Sequence, residues 1–311
     1  MSDLITPPAR VAFIGMGVMG AAMAANLLRA GFAVTITSRS CGKAASLEAA
    51  GAVWVDTAAQ AAQGAAFIGV CVPDTPDVEA VLFGPDSIAT GIARDVAAGA
   101  APGTVVIDFS TIAATSAALF AARMLAECGV PLLDSPVSGG PQGARDGTLT
   151  CMVGGDPHAF ARAGAVFQAI GRTWTHLGPP GAGQVCKSAN QILVGVTMLA
   201  VAEALALGVK AGLDGAAMQR ALMGGSARSV VLEKHATRML EQAFTPGFRA
   251  ELMLKDLRLS AAAMRDHGIF APATALAGQM MQATVNSGRG ALDSASLGAL
   301  VAELSGVIRP A

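Results

Sequence analysis

The chain has 311 residues, of which 53% are hydrophobic and 14% charged, and its formal net charge is −1. That length suffices for two domains with a large core, and the composition excludes a disordered chain or a coiled coil. A near-neutral chain with no run of Lys or Arg lacks the electrostatic footprint of a nucleic-acid or anionic-membrane binder.

The opening segment "MSDLITPPAR" has no basic stretch followed by an apolar one, so no secretory signal is expected and a cytoplasmic location follows. The five cysteines, at positions 41, 71, 128, 151 and 186, form no CxxC pair, which predicts buried free thiols in a reducing compartment. The four histidines are scattered, with no HxxxH and no carboxylate cluster beside them, so no protein-bound metal is expected.

In chain order, "RVAFIG" (10–15) reads as a buried strand and "VMGAAMAANLLRAG" (18–31) as a helix ended by Gly31. A second strand, "AVTITS" (33–38), and a helix over 42–51 follow. "AAFIGVCV" (65–72) is a strand halted by Pro73. "GTVVIDFS" (103–110) is another, leading to an Ala-rich helix and then "VPLLDSPV" (130–137). "TLTCMVGG" (148–155) and "TWTHLG" (173–178) extend the sheet around an intervening helix. Strands alternating with helices predict a Rossmann-type, doubly wound, mostly parallel sheet.

The rhythm changes at "GPPGAG" (178–183). Helical segments follow at roughly 184–212, 214–223, 228–241, 250–267, 272–286 and 294–304. The expected organisation is a dinucleotide-binding domain over 1–178 and an all-α domain over 179–311, with a site in a cleft between them. The run "ILVGVTMLAVA" (192–202) stops at Glu203, short of the ~20 residues a membrane span needs, so a buried helix or an oligomer interface is expected.

Three stretches carry chemistry. "GMGVMG" places Gly15, Gly17 and Gly20 in the pattern GxGxxG, with Met16, Val18 and Met19 between them, straight after a strand and opening a helix. This gives a tight turn, close backbone approach to a pyrophosphate and a helix N-terminus aimed at the anion. At the end of the second strand, where an acid would accept from the ribose 2′-OH, stand Ser38, Arg39 and Ser40. The missing acid, with a guanidinium available for a 2′-phosphate, favours NADP over NAD; a solvated surface arginine is the plainer alternative.

"DSPVSGGPQGARDGTLT" offers Ser138, Gly139 and Gly140, a hydroxyl and two unhindered N–H groups for a substrate carboxylate, or an ordinary turn. Lys187, in "GAGQVCKSANQ", is the only Lys, Arg, Asp or Glu between Arg172 and Glu203. On a helix starting near Gly183 it shares a face with Asn190 and Gln191. Burial and a place in the first helical turn would lower its pKa into the range useful for acid–base catalysis. A lysine snorkelling its charge to the surface fits its position equally well. Thr111 is either a ligand at a strand's C-terminal end or a helix N-cap, and Lys255–Asp256 reads as a solvated pair.

Taken together, "FIGMGVMGAAMAANLL", "VPDTPDVEAVLFG", "DFSTI", "DSPVSGGPQGARDGTLTCMVGGD", "GAGQVCKSANQ" and "FTPGF…LMLKDL" resemble the β-hydroxyacid dehydrogenase family over roughly residues 10–305. The resemblance implies Lys187 as catalytic acid/base, Ser138–Gly140 on the substrate carboxylate, and Asn190 and Gln191 lining the substrate pocket. It also implies Val72, Pro73, Thr111 and Lys255 along the cofactor, and a homodimer or homotetramer formed through the helical domain. "KSANQ" resembles the tartronate semialdehyde reductase branch, which carries Asn-Gln after the lysine, more than the 3-hydroxyisobutyrate branch. The chain departs from the family pattern at Ala22, where proline is common, and at Ser38–Arg39, where NAD-using members carry an acid. The expected activity is NADP-dependent interconversion of a small 3-oxo acid (semialdehyde) and its 3-hydroxy acid. The alternatives are a 3-hydroxyisobutyrate or 4-hydroxybutyrate dehydrogenase-like enzyme, or a non-catalytic NADP-binding protein.

Overall fold

A computed structural model describes residues 4–40, 44–99 and 103–307. The chain divides into two compact units, Met1–Lys187 and Ser188–Ala311.

The first unit is built on nine strands: β1 (Arg10–Ile14), β2 (Ala33–Thr37), β3 (Val53–Trp54), β4 (Phe67–Val70), β5 (Val105–Asp108), β6 (Leu132–Asp134), β7 (Val137–Ser138), β8 (Leu149–Gly154) and β9 (Gly171–Gly178). They lie in the order β3-β2-β1-β4-β5-β6-β8-β7, with β9 on β8. The first six pair in parallel, whereas β8 runs antiparallel to β6 and β7. Order reverses beside β1, which has β2 on one side and β4 on the other; ligands of doubly wound sheets bind at such a switch point. All four residues of β4 and of β5 are buried, as expected for central parallel strands covered on both faces.

Helices of this unit are α1 (Val18–Arg29), α2 (Ala45–Ala49), α3 (Ala58–Ala62), α4 (Thr75–Phe83), α5 (Ile88–Ala97), α6 (Ala114–Cys128), α7 (Gly140–Asp146), α8 (Pro157–Arg162) and α9 (Gly164–Ile170). Two hydrophobic clusters flank the sheet: one around Phe13, Met23, Leu27, Phe67 and Phe167, the other around Ile68, Leu82, Ile88 and Met124. The strand pattern follows the sequence expectation. The short elements β3 and α3 escaped it because two-residue and five-residue segments carry too little periodicity, and the ten-residue α5, capped by Ser87, was also missed. The Thr57–Gln60 capping box that starts α3 is, however, visible in sequence.

The long helix α10 (Ala182–Lys210) begins in the first unit and continues as the first helix of the second. After it come α11 (Gly215–Met223), α12 (Val230–Glu241), α13 (Ala250–Asp266), α14 (Pro272–Thr284) and α15 (Leu297–Leu304). At 29 residues, α10 is long and apolar enough to cross a membrane, so the length argument drawn from residues 192–202 does not hold. Glu203 does not end the helix. Its packing is that of a core helix: Met198, Leu199, Ala202 and Leu205 are buried in a cluster with Leu232, Met253, Leu257 and Met281. The cysteines also differ from expectation. Cys151 is buried, and burial pushes its thiol up to about 12, whereas Cys71, Cys128 and Cys186 are only half-buried. Cys41 lies outside the described residues.

A buried carboxylate organises the end of the second unit. Asp293 accepts from Arg238 at 2.7 Å, from the backbone N–H groups of Gly247 and Phe248 at 2.9 and 3.1 Å, and from Ala295 N–H at 3.0 Å. His235 stands beside it, Nδ1 4.0 Å from Oδ1. Burial pushes this imidazole below its ordinary value of about 6.5, against the pull of the Asp293 carboxylate. The folded protein therefore resists protonating His235 while the unfolded chain does not. The stability this contributes is present above about pH 6.5 and is lost as pH falls below it. Urea unfolding of wild type and His235→Gln should show the wild type's advantage shrinking between pH 7.5 and 5.5; a pH-independent difference would mean the imidazole titrates alike in both states.

Candidate active site

The turn after β1 is shaped by backbone contact. Gly15 has φ +100°, its N–H donates to Thr37 O at 2.9 Å, and a Cβ there would lie 2.2 Å from the carbonyl oxygen of Cys71. A Cβ on Gly20 would lie 2.0 Å from Gly15 O, so the first turn of α1 packs directly on the loop. Gly17 is the N-cap of α1 and offers no side chain; no acidic residue occupies the first turn, and a Cβ on Gly17 would meet nothing within 4 Å. Uncapped N–H groups facing open space at the positive end of a helix are a seat for an anion, and this fits a dinucleotide pyrophosphate. Met16 is buried in the core, while Val18 is exposed and Met19 half-buried.

Ser38, Arg39 and Ser40 follow β2. Arg39 is 81% exposed and pairs with Asp77 Oδ1 at 3.1 Å. An acid therefore does stand near this strand end, contributed by the first turn of α4 rather than by β2 itself. Val72 and Pro73 follow β4, and Val72 N–H donates to Ser110 Oγ at 2.9 Å. Thr111 lies in the loop after β5, but it does not cap α6: the N-cap is Ala113, without a side-chain bond.

Ser138 closes β7, its neighbour Gly139 has φ +136°, and Gly140 has φ +63°. These are left-handed or extended-positive conformations that favour glycine, and no side chain caps the short α7 that follows. Lys187 is brought to this turn. It is 8% exposed, and its Nζ donates to Val137 O, the residue before Ser138, at 2.9 Å. Burial at the start of α10, not snorkelling, describes this lysine. It is the sixth residue of α10, hence beyond the first turn, where the helix dipole acts most strongly.

Two side chains that sequence reasoning missed hold this arrangement. Asp134, at the end of β6, is 3% exposed and accepts from Gly181 N–H at 2.7 Å and Gln184 N–H at 3.0 Å. It caps α10 from another element. Burial pushes its carboxyl above the usual range, opposed by those backbone N–H groups. The Gln184 amide donates to Ser110 O at 2.8 Å and accepts from Ile112 N–H at 3.1 Å. The sequence held one signal: Asp134 is a charge at the end of an otherwise apolar strand.

In the second unit, Asn190 Nδ2 donates to Gln191 Oε1 at 2.8 Å, and Gln191 Nε2 donates to Asp256 Oδ2 at 2.7 Å. Lys255 Nζ stands 3.2 Å from Asp256 Oδ1. Asp256 is 3% exposed, so the expectation of a solvated Lys255–Asp256 pair is corrected: its carboxylate is an interior acceptor shared by Gln191 and Lys255. A carboxylate only accepts, which fixes the Gln191 amide with its NH₂ toward Asp256.

Two family models match the chain. The NAD-binding domain of 6-phosphogluconate dehydrogenase matches residues 10–178, and the NAD-binding region of NADP-dependent 3-hydroxyisobutyrate dehydrogenase matches residues 181–301. The chain belongs to the β-hydroxyacid dehydrogenase family. It is an NAD(P)-dependent oxidoreductase of that family. Among its relatives is 2-hydroxy-3-oxopropionate reductase of Escherichia coli strain K12, 40% identical over 289 residues covering 93% of this chain and 95% of that protein. NAD-dependent L-serine dehydrogenase of Pseudomonas aeruginosa is 40% identical over 275 residues, covering 86% and 89%. The crystal structure of 3-hydroxyisobutyrate dehydrogenase from Salmonella typhimurium is similar at a TM-score of 0.84 and 29% identity, covering 94% of this chain and 99% of that one.

Replacing Asp256 by Ala strips Gln191 and Lys255 of a buried acceptor, and leaving such donors unpaired costs about 1–3 kcal/mol. Asp256→Ala should lower the urea midpoint accordingly; a midpoint equal to that of wild type would mean both donors find other partners.

Proposed function

We propose that this β-hydroxyacid dehydrogenase is an NADP-preferring reductase of a small semialdehyde, with 2-hydroxy-3-oxopropanoate (tartronate semialdehyde) as its substrate. The observation that carries the reading is the buried Lys187 ammonium at 2.9 Å from Val137 O, directly beside the Ser138–Gly140 turn. On this reading a proton donor stands beside an anion seat. The 40% identity to 2-hydroxy-3-oxopropionate reductase supports the substrate. The absence of an acid on Ser38–Ser40 and the NADP-dependent family model over residues 181–301 support the cofactor.

When bound, a reduced nicotinamide would supply the hydride to the aldehyde carbon. Ser138 Oγ and the N–H groups of Gly139 and Gly140 hold the substrate carboxylate, which orients that carbon. As negative charge builds on the aldehyde oxygen, Lys187 stabilises it and donates one proton from Nζ, so the product is the hydroxyl and the lysine is left neutral until solvent reprotonates it. Asn190, one turn further along α10, orients the substrate or the lysine, with its own amide fixed by Gln191. Gly15–Gly20 receive the pyrophosphate with Val72, Pro73, Thr111 and Lys255 along the cofactor, and Ser38, Arg39 and Ser40 read its ribose.

Loss of absorbance of the reduced nicotinamide, measured with NADPH or NADH against tartronate, methylmalonate and succinate semialdehydes, tests this reading. Faster oxidation of NADPH with the first substrate is expected, and Lys187→Ala should retain cofactor binding while losing ~10²–10⁴ in kcat. Preference for another semialdehyde would overturn the substrate, and near-normal turnover by the variant would remove the lysine from its role.

The second unit also exposes Leu193 and Leu207 on α10, at 69% and 72%. A second copy of the chain covering this apolar face makes the protein a homo-oligomer. Light scattering should return at least twice the chain mass of 31.0 kDa; the mass of a single chain would refute the assembly.

A further inference from the structure

Gln184 stands three residues before Lys187 on α10, and only 1% of it is exposed. Its amide is engaged at both atoms by one loop: Nε2 donates to Ser110 O at 2.8 Å and Oε1 accepts from Ile112 N–H at 3.1 Å. Those two residues flank Thr111. Ser110 also accepts from Val72 N–H through Oγ at 2.9 Å, and its own N–H donates to Asp108 Oδ1 at 2.9 Å. The loops that end β4 and β5 are therefore one hydrogen-bonded body, and Gln184 is where α10 joins it. On the other side, the backbone N–H of the same residue donates to Asp134 Oδ2 at 3.0 Å.

The spacing leaves little slack. A Cβ on Gly154 would lie 2.5 Å from Asp134 Oδ1 and 2.9 Å from the backbone nitrogens of Ala182 and Gly183; one on Gly183 would lie 2.2 Å from Met152 O. The first turn of α10 is pressed onto β6 and β8, with the Asp134 carboxylate bonded between them. Lys187 lies three positions after Gln184 on one helix, so any shift at the clamp moves Nζ relative to Val137 O and Ser138.

We infer that Gln184 is a positioning residue for the reaction: it locks the loops carrying Val72 and Thr111 to the helix carrying Lys187, and so sets the lysine's register against the cofactor-side loops. The inference rests on the roles proposed above for Val72, Thr111 and Lys187. A glutamine serves here because the loop presents one carbonyl and one N–H, and a primary amide matches both at once. Asp134 supports the same register from the helix end.

Gln184→Met keeps length and packing but removes both amide bonds. Misplacing a reacting group by ~1 Å can cost about 10²-fold. The variant should lose ~10-fold or more in kcat with semialdehyde. Its NADPH dissociation constant and semialdehyde KM should stay near wild type, and the isotope effect with 4-deuterated NADPH should rise as hydride transfer becomes limiting. A merely structural role would lower the active fraction and leave that isotope effect unchanged, which would overturn the inference.

An activity-independent measurement separates this inference from the proposed reaction. Acetylation of Lys187 by acetic anhydride, followed by peptide mass spectrometry against the exposed Lys234, should be several-fold faster in Gln184→Met than in wild type. Equal labelling would overturn the clamp whatever the substrate. Wild type that turns over no semialdehyde would refute the reaction alone. Should Gln184→Met fail to fold, Asp134→Asn retains one acceptor oxygen of the two and should raise Lys187 labelling in the same way; unchanged labelling there counts equally against the inference.

Discussion

The first turn of α10 is fixed by a carboxylate it does not own. Asp134 ends β6, and its pairing with Gly154 is the register at which β6 meets the antiparallel β8. At that same point its side chain takes the N–H groups of Gly181 and Gln184. The sheet changes from parallel to antiparallel, the long helix starts, and the lone ammonium is buried within a few residues of one another. A buried carboxylate is costly unless its lone pairs are filled, and here the uncapped end of a helix fills them. The same bonds remove the helix's need for a local capping residue.

This arrangement separates the two tasks that a hydride-transfer site must combine. In the proposed reaction the anions would sit on bare backbone at Gly17, which opens a helix without a side-chain cap, and at Gly139–Gly140, whose positive φ favours glycine. The proposed proton donor, Lys187, is a long side chain on a helix whose position is set elsewhere.

The mostly parallel sheet and the helical second unit were legible because buried parallel strands and amphipathic helices leave periodic traces over many residues. The GxGxxG turn was legible because its glycines answer local demands: Gly15 meets Cys71 O and Gly20 meets Gly15 O. Asp134 and Gln184 were not, because their bonds join residues 47, 50 and 74 positions apart and leave no periodicity. Lys255–Asp256 was misread for a related reason. Adjacent opposite charges on a helix look the same in sequence whether they face water or, as here, a buried glutamine. The extent of α10 was legible as a helix over roughly 184–212, but its apolar length was not, because Glu203 was taken to end the apolar run, although a helix exposed on one side accommodates a glutamate within its span.

If Arg39 reads the ribose as proposed, its ion pair with Asp77 would turn cofactor choice into a contest for one guanidinium. Exposed pairs of this kind are worth only about 0–1 kcal/mol, so an incoming phosphate displaces the carboxylate at little cost. Asp77 nevertheless stays close by as an uncompensated negative charge once Arg39 is taken. A dinucleotide without the phosphate leaves the pair intact. On that proposal, discrimination at this strand end would be a partner exchange between two anions, weakened by salt on both sides of the balance, and a change at either Arg39 or Asp77 would reset it.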